Sequence, residues 1–371
     1  MSEFGEERLK QLYLLPPSMT TPWAGVEGMT VRSKVRRKGQ SSVRLQLPLF
    51  WFDPHWYRLP TQIADELAVA VAELNVVVSG LRSDLAVPNS EPMMHQDQSV
   101  DDESSESEDE DSSPPEPRFL PRMVSYRPER YGLTPADFDN AKIVDVRLMM
   151  SRDASGRFAY SPEQLARWEA TPADQPLAGG GWVPAASFPP DVASIDHLSV
   201  KLNQLRKLSP GAAVFVSVGP YRLGEEIPAL ISSQPDGLIV RMYQVDLDGL
   251  QLAALTRRVR SLMNEAGAKQ MPLWVVPGEI SADDAVKLVA LGASAIGVDN
   301  WCNQLIDQCL PAQGSYGYSR PPIEQYVSEA LEDRIERFSG LYLSLQRVKR
   351  KERLGSFRMT WAKTLGVKPL Q

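Results

Sequence analysis

The sequence predicts a closed (β/α)8 barrel, and three observations lead there. Short apolar runs alternate with amphipathic helical stretches along most of the chain. The runs are apolar nearly throughout, as expected of parallel strands covered on both faces. About eight of them can be found, which suits a closed barrel better than an open sheet.

LQLPLFWF (Leu45–Phe52) reads as the first buried strand. A helix over Thr61–Leu74 follows, with Ile63, Leu67, Val71 and Leu74 on one face, and then a strand at Asn75–Val78. Ile143–Met150 alternates as a strand. The pattern continues with a helix at Ile195–Leu208, a strand at Ala213–Val218 and a helix at Glu225–Ser232. Next come Gly237–Met242 (strand), Leu247–Ala266 (helix) and Pro272–Val276 (strand). Ala282–Leu291 is a helix that Ser281 can cap, with Asp283 and Asp284 complementing its dipole. Ser294–Val298 is the last strand, and a final helix starts at Pro322. No internal repeat is found.

Composition bounds the function. No run of about 18 apolar residues exists, which argues against a membrane span, and the first ten residues carry no secretory pattern. Two cysteines in 371 residues point to a reducing compartment, so the expected location is cytoplasmic. The net charge of −7 is local: ten carboxylates lie between Asp97 and Glu116 without a Lys or Arg, leaving 40 basic against 37 acidic residues elsewhere. DDESSESEDED (Asp101–Asp111) repels itself and has nothing to bury, so a disordered loop at about 88–118 is expected to interrupt the barrel. Its serines, Ser104, Ser105 and Ser107, could alternatively be phosphorylated for docking.

The expected layout is a partly basic extension (1–44), the barrel (45–345) and a basic tail (346–371). Two basic patches, Arg32–Lys38 and Arg347–Arg353, read as solvated ends, with nucleic acid, an acidic protein surface, or the acidic loop of this chain or of a second copy as alternatives. His55, His95 and His197 show no metal-ligand spacing. Nucleic acid is not an expected partner.

Several segments resemble one family. LWVVPGEISADDAVKLVALGASAIGVDN (Leu273–Asn300) has the form of the last two strand–helix units of flavin-binding barrels. In particular it resembles the FMN-binding domain of glutamate synthase and its relatives. RYGLTPADFDNAKIVDVRLMM (Arg130–Met150), IDHLSVKLNQLRKLSPGAAVFVSV (Ile195–Val218) and the stretch Pro48–Gly80 are similar to further parts of that domain, in the same order. The resemblance runs from about residue 45 to 345. It implies a TIM barrel of the glutamate synthase FMN-domain type and, as cofactor, FMN.

The family's site positions are altered. Flavin phosphate is held by backbone N–H groups brought close by glycines, beside a helix N-terminus. Where the family has Gly-Gly after the seventh strand, this chain has Pro277-Gly278 followed by Glu279, and proline has no N–H. Where the family has Gly-x-Gly-Thr after the eighth, the chain reads Gly297-Val298-Asp299-Asn300. A carboxylate about 4 Å from a phosphate costs roughly 1–4 kcal/mol per charge pair. The family lysine that ends the fifth strand falls on Ser217, and its GGTGA loop is replaced by RMYQVDLDG, with Arg241, Tyr243 and Asp246. GEGG becomes Gly80-Leu81-Arg82-Ser83, and an MSFG-like segment becomes His55-Trp56-Tyr57-Arg58. Gly179–Gly181 matches a glycine-rich family loop or is a simple turn. The family's iron–sulfur cluster needs three cysteines; Cys302 and Cys309 are the only two here and read as buried helix residues two turns apart.

The residues at Ser217, Gly278, Glu279, Gly297, Asp299 and Asn300 are therefore family-equivalent cofactor positions with impaired chemistry. No catalytic residue and no metal ligand is identified. The main expectation is a degenerate glutamate synthase-like barrel without bound cofactor, a scaffold or regulatory subunit working with a protein partner or a second copy. The alternative is an FMN-dependent oxidoreductase of that family acting on an amino acid or 2-oxo acid, with Arg147, Arg222 or Arg241 supplying positive charge. Trp51, Trp56 or Tyr57 filling the barrel mouth would favour the scaffold.

Overall fold

The computed structural model describes residues 7–16, 31, 33–37, 40–82, 119–127, 133–148, 159–160, 183–184, 189, 191–192, 195–309 and 322–371. The acidic loop, His95, Gly179–Gly181, Arg32 and Lys38 lie outside them.

Eight parallel strands close into a barrel: β1 (Leu49–Trp51), β2 (Val77–Ser79), β3 (Arg122–Tyr126), β4 (Ile143–Arg147), β5 (Ala213–Val218), β6 (Gly237–Arg241), β7 (Leu273–Val276) and β8 (Ala295–Gly297). Each pairs with the next, and β8 returns to β1 through Ile296 opposite Leu49. The helices are α1 (Thr61–Glu73), α2 (Ile195–Leu208), α3 (Leu223–Ser232), α4 (Gly249–Glu265), α5 (Ala282–Leu291), α6 (Asp299–Cys309), α7 (Ile323–Gln346) and α8 (Met359–Leu365).

Strand alternation separates two apolar sets. Phe50, Val77, Met123, Ile143, Phe215, Ile239 and Trp274 fill the barrel interior. Their neighbours, among them Leu49, Trp51, Val78, Val144, Val216, Val240 and Val275, pack outward with the helices. Aromatic rings meet within it: Trp274 lies 4.6 Å from Phe50 and 4.7 Å from Phe215, ring centre to ring centre.

Several expectations need correction. The run from Leu45 is not one strand. Gln40–Leu45 pairs antiparallel with Ser33–Arg37, and β1 starts only at Leu49. Val35, Val43 and Leu45 of this hairpin join the interior cluster, and Arg37 donates to the Pro210 and Ala212 carbonyls ahead of β5. The hairpin thus closes the N-terminal end of the barrel, so part of the first basic patch is built into the fold. β3 was not recognised. At the other end of the chain, Leu354–Ser356 pairs with Tyr13–Leu14 and with Lys368–Pro369, and Leu365 of α8 is buried. The last residues are a packed module that joins the two ends of the chain. Ser281 caps α5 as expected, in a reciprocal capping box with Asp284. Cys302 and Cys309 are both buried on α6. Among the described residues, no helix is long and apolar enough to cross a membrane.

Candidate functional site

Strand ends converge at the C-terminal mouth, where barrels of this kind carry their sites. The inward positions one step above the apolar interior are Phe52, Ser79, Ser125, Ser217, Arg241 and Val276, each two residues beyond an interior residue, and Arg147, two beyond the buried Asp145. The top layer is therefore polar and cationic, an unusual composition for a barrel core.

Arg147 organises it. Its guanidinium donates to Asp145 (3.1 Å), Asp53 (3.1 Å), Ser125 Oγ (3.1 Å) and the Phe52 carbonyl (3.2 Å). It also lies 3.8 Å above the Phe52 ring. Charge pairing, hydrogen bonding and cation–π contact together offset its desolvation. Burial alone would lower its pKa, but Asp53 and Asp145 outweigh that and raise it. Burial would likewise raise the Asp53 pKa; Arg127 and Arg147 reverse this and hold it at about 2.

Arg241 is a different case. It is 5% exposed and donates only to the Leu148 carbonyl, while its Nε has no partner among the described residues. No described carboxylate forms an ion pair with it. Burial, and the nearby charge of Arg147, lower its pKa, although Tyr243 acts the other way. Ser217 Oγ, Asp145 Oδ1 and Trp274 Nε1, all buried in the interior, also lack partners among the described residues. Ser217 sits opposite Arg147 in the strand register.

At the C-terminal ends of β7 and β8 the chain bonds to itself. Arg8 donates to the carbonyls of Pro277 and Glu279 (both 3.1 Å) and to the Leu247 carbonyl. The β7 loop thus turns carbonyls, not amides, to its neighbour. Gly278 has φ +83°, and a Cβ there would stand 3.3 Å from Tyr243 Cβ. Asp299 opens α6 and accepts the backbone N–H groups of Asp53 (2.6 Å) and Phe52 (3.3 Å). Burial, reinforced by the charge of Asp53, pushes the Asp299 pKa up to about 7 despite those bonds. Asn300 donates to the Ile280 carbonyl (3.1 Å). A phosphate would meet carbonyls at β7 and a carboxylate at β8. The residues present do not fit the phosphate of FMN in this place.

Arg8 is held there by Asp284, whose carboxylate accepts the amides of Arg8 (2.7 Å) and Leu9 (2.9 Å). That side chain does more than complement a helix dipole.

Other predicted residues fall elsewhere. Trp51 faces outward and donates to Asn303, and Trp56 covers the Ser79 carbonyl. Tyr57 is exposed, and so is Arg222, which pairs with Glu225. None of the three aromatics fills the mouth; Phe52 and Arg147 do. Sequence reasoning missed Asp53, Asp145 and Arg8. The Asp145 signal was present: in IVDVR both charges share the face of Ile143.

The fold and site define a (β/α)8 barrel whose mouth is lined by buried charge. No protein-family profile and no curated protein matches the chain. Similar solved structures include mandelate oxidase with (S)-2-phenylpropionate, at 13% identity over 92% of this chain and 86% of that one, with a TM-score of 0.47. A putative lactate oxidase of Pediococcus acidilactici has 13% identity over 91% and 80%, with a TM-score of 0.46.

Proposed function

We propose that this barrel is a non-catalytic scaffold or regulatory subunit that has exchanged the flavin phosphate site for internal contacts. The supporting observation is the pair of plugs, Arg8 on the β7 carbonyls and Asp299 at the start of α6. Arg8 is held by carbonyls that would repel a phosphate, and Asp299 sets a carboxylate on the Phe52 and Asp53 amides. The reading takes the relation to glutamate synthase from the sequence segments, and a protein partner or second copy as its effector.

A second reading, an FMN-dependent oxidoreductase acting on a small carboxylic acid, is favoured by Arg147 and Arg241. Positive charge at the strand ends could stabilise a reduced flavin ring or bind a carboxylate. FMN would then have to be held without the usual phosphate contacts.

The test is the visible spectrum of the purified protein, followed by titration of FMN fluorescence. A colourless protein that leaves the fluorescence unchanged agrees with the first reading. Flavin bands near roughly 370 and 450 nm, or saturable quenching, would overturn it.

A further inference from the structure

A second charged site lies on the barrel flank, away from the mouth. A cavity of about 410 Å³ opens between α4, the end of α5 and the C-terminal module. Arg257, Arg260, Ser261 and Asn264 reach it from one face of α4, and Arg350 and Lys351 face them from the turn after α7. Four cations line the cavity and no carboxylate does.

None of the four forms an ion pair among the described residues, although Arg258 on the adjoining face pairs with Glu265. Arg260 is 6% exposed and fixed by the carbonyls of Gly292 (2.9 Å) and Met271 (2.9 Å). Its aliphatic stem packs on Gly292, where a Cβ would come within 2.7 Å of it. Arg257 lies against Gly366 (φ +55°), where an added Cβ would stand 3.1 Å from the guanidinium. Two of the cations are thus held in place by the fold, not free to move apart. Burial and the charge of Arg350 lower the pKa of Arg257, and that of Arg260 to about 10. Crowded, uncompensated positive charge in a concave surface concentrates anions.

We propose that this cavity is a binding site for a small phosphate-bearing molecule with two or more negative charges. Guanidinium groups suit it by bidentate geometry, and the Asn264 amide adds a neutral donor. The size lies within the range of small-molecule pockets, roughly 300–1,000 Å³. The proposal does not depend on how the mouth works.

Calorimetric titration of the full chain with inorganic pyrophosphate, against chloride at matched ionic strength, tests it. The expected result is saturable binding that weakens at least about tenfold in the Arg350→Gln/Lys351→Gln variant. Both side chains are exposed, so folding should be unaffected, and Arg257→Gln supplies a second variant with the same expected loss. Binding no stronger than that of chloride, or binding unchanged in both variants, would overturn the proposal.

Discussion

Replacing Asp299 by Asn should flatten the pH dependence of stability between about pH 4 and 7. The carboxylate is partly buried at the start of α6, and the charge of Asp53 adds to the penalty on ionisation, so its pKa in the fold is about 7 against an ordinary 3.8. The folded chain therefore holds this proton more tightly than the unfolded chain. The resulting stabilisation is complete below about pH 3.8 and is lost as pH rises through about 7. A displacement of about three pH units corresponds to about 4 kcal/mol, an upper figure because solvent reaches part of the group. Asparagine keeps an oxygen for the Asp53 amide but does not titrate. Urea unfolding at intervals from pH 4.5 to 8 measures the effect: the variant should gain on the wild type as pH rises and surpass it by pH 8. Asp53, held at about 2, contributes in the opposite sense and only below about pH 4, outside this window. Parallel profiles would refute a raised Asp299 pKa, and with it the view that the β8 end carries an internal charge conflict.

Asp284→Ala removes the acceptor of the Arg8 and Leu9 amides and a neighbour of Lys287 Nζ at 3.9 Å. It should cost about 3–5 kcal/mol and make the chain near Lys10 sensitive to limited proteolysis. Asp236→Ala strands the buried Arg206, which now bonds it at 3.2 and 3.3 Å, and should cost a similar amount in urea unfolding, about 3–5 kcal/mol. Gly237→Ala places a Cβ 2.4 Å from the Phe215 ring, so the melting temperature should fall by the equivalent of about 1–3 kcal/mol. Arg241→Met should be neutral or stabilising by about 1–4 kcal/mol in thermal unfolding, because it removes a buried cation that lacks a carboxylate; marked destabilisation would show a structural partner.

Strand–helix alternation made the barrel legible because most strands are largely apolar, and only β3, whose RMVSY mixes polar and apolar residues, escaped. The hairpin at the N-terminal end was not legible. Its exposed basic residues, Lys34 and Arg36, mask the single buried Val35 between them. The missing N–H of Pro277 and the added carboxylate of Asp299 could be read as departures from the resembled family, since both are local facts. The contacts these residues make could not. Arg8 stands 269 residues before Pro277, and no periodicity connects them. Asp145 and Arg147 alternate with Ile143, but only closure of the barrel shows that their shared face meets Asp53 from β1.

The two arginines of the mouth separate structure from function. Arg147 has two carboxylates, a hydroxyl, a carbonyl and a ring around it, so its burial is explained by contacts already present. Arg241 has one carbonyl, and Ser217 Oγ and Asp145 Oδ1 in the same interior also lack partners among the described residues. A buried guanidinium without a counter-charge costs several kcal/mol that packing does not return. A barrel shaped for stability alone would have an apolar residue there. The internal contacts at β7 and β8 satisfy their own groups, yet they leave this cation in the core.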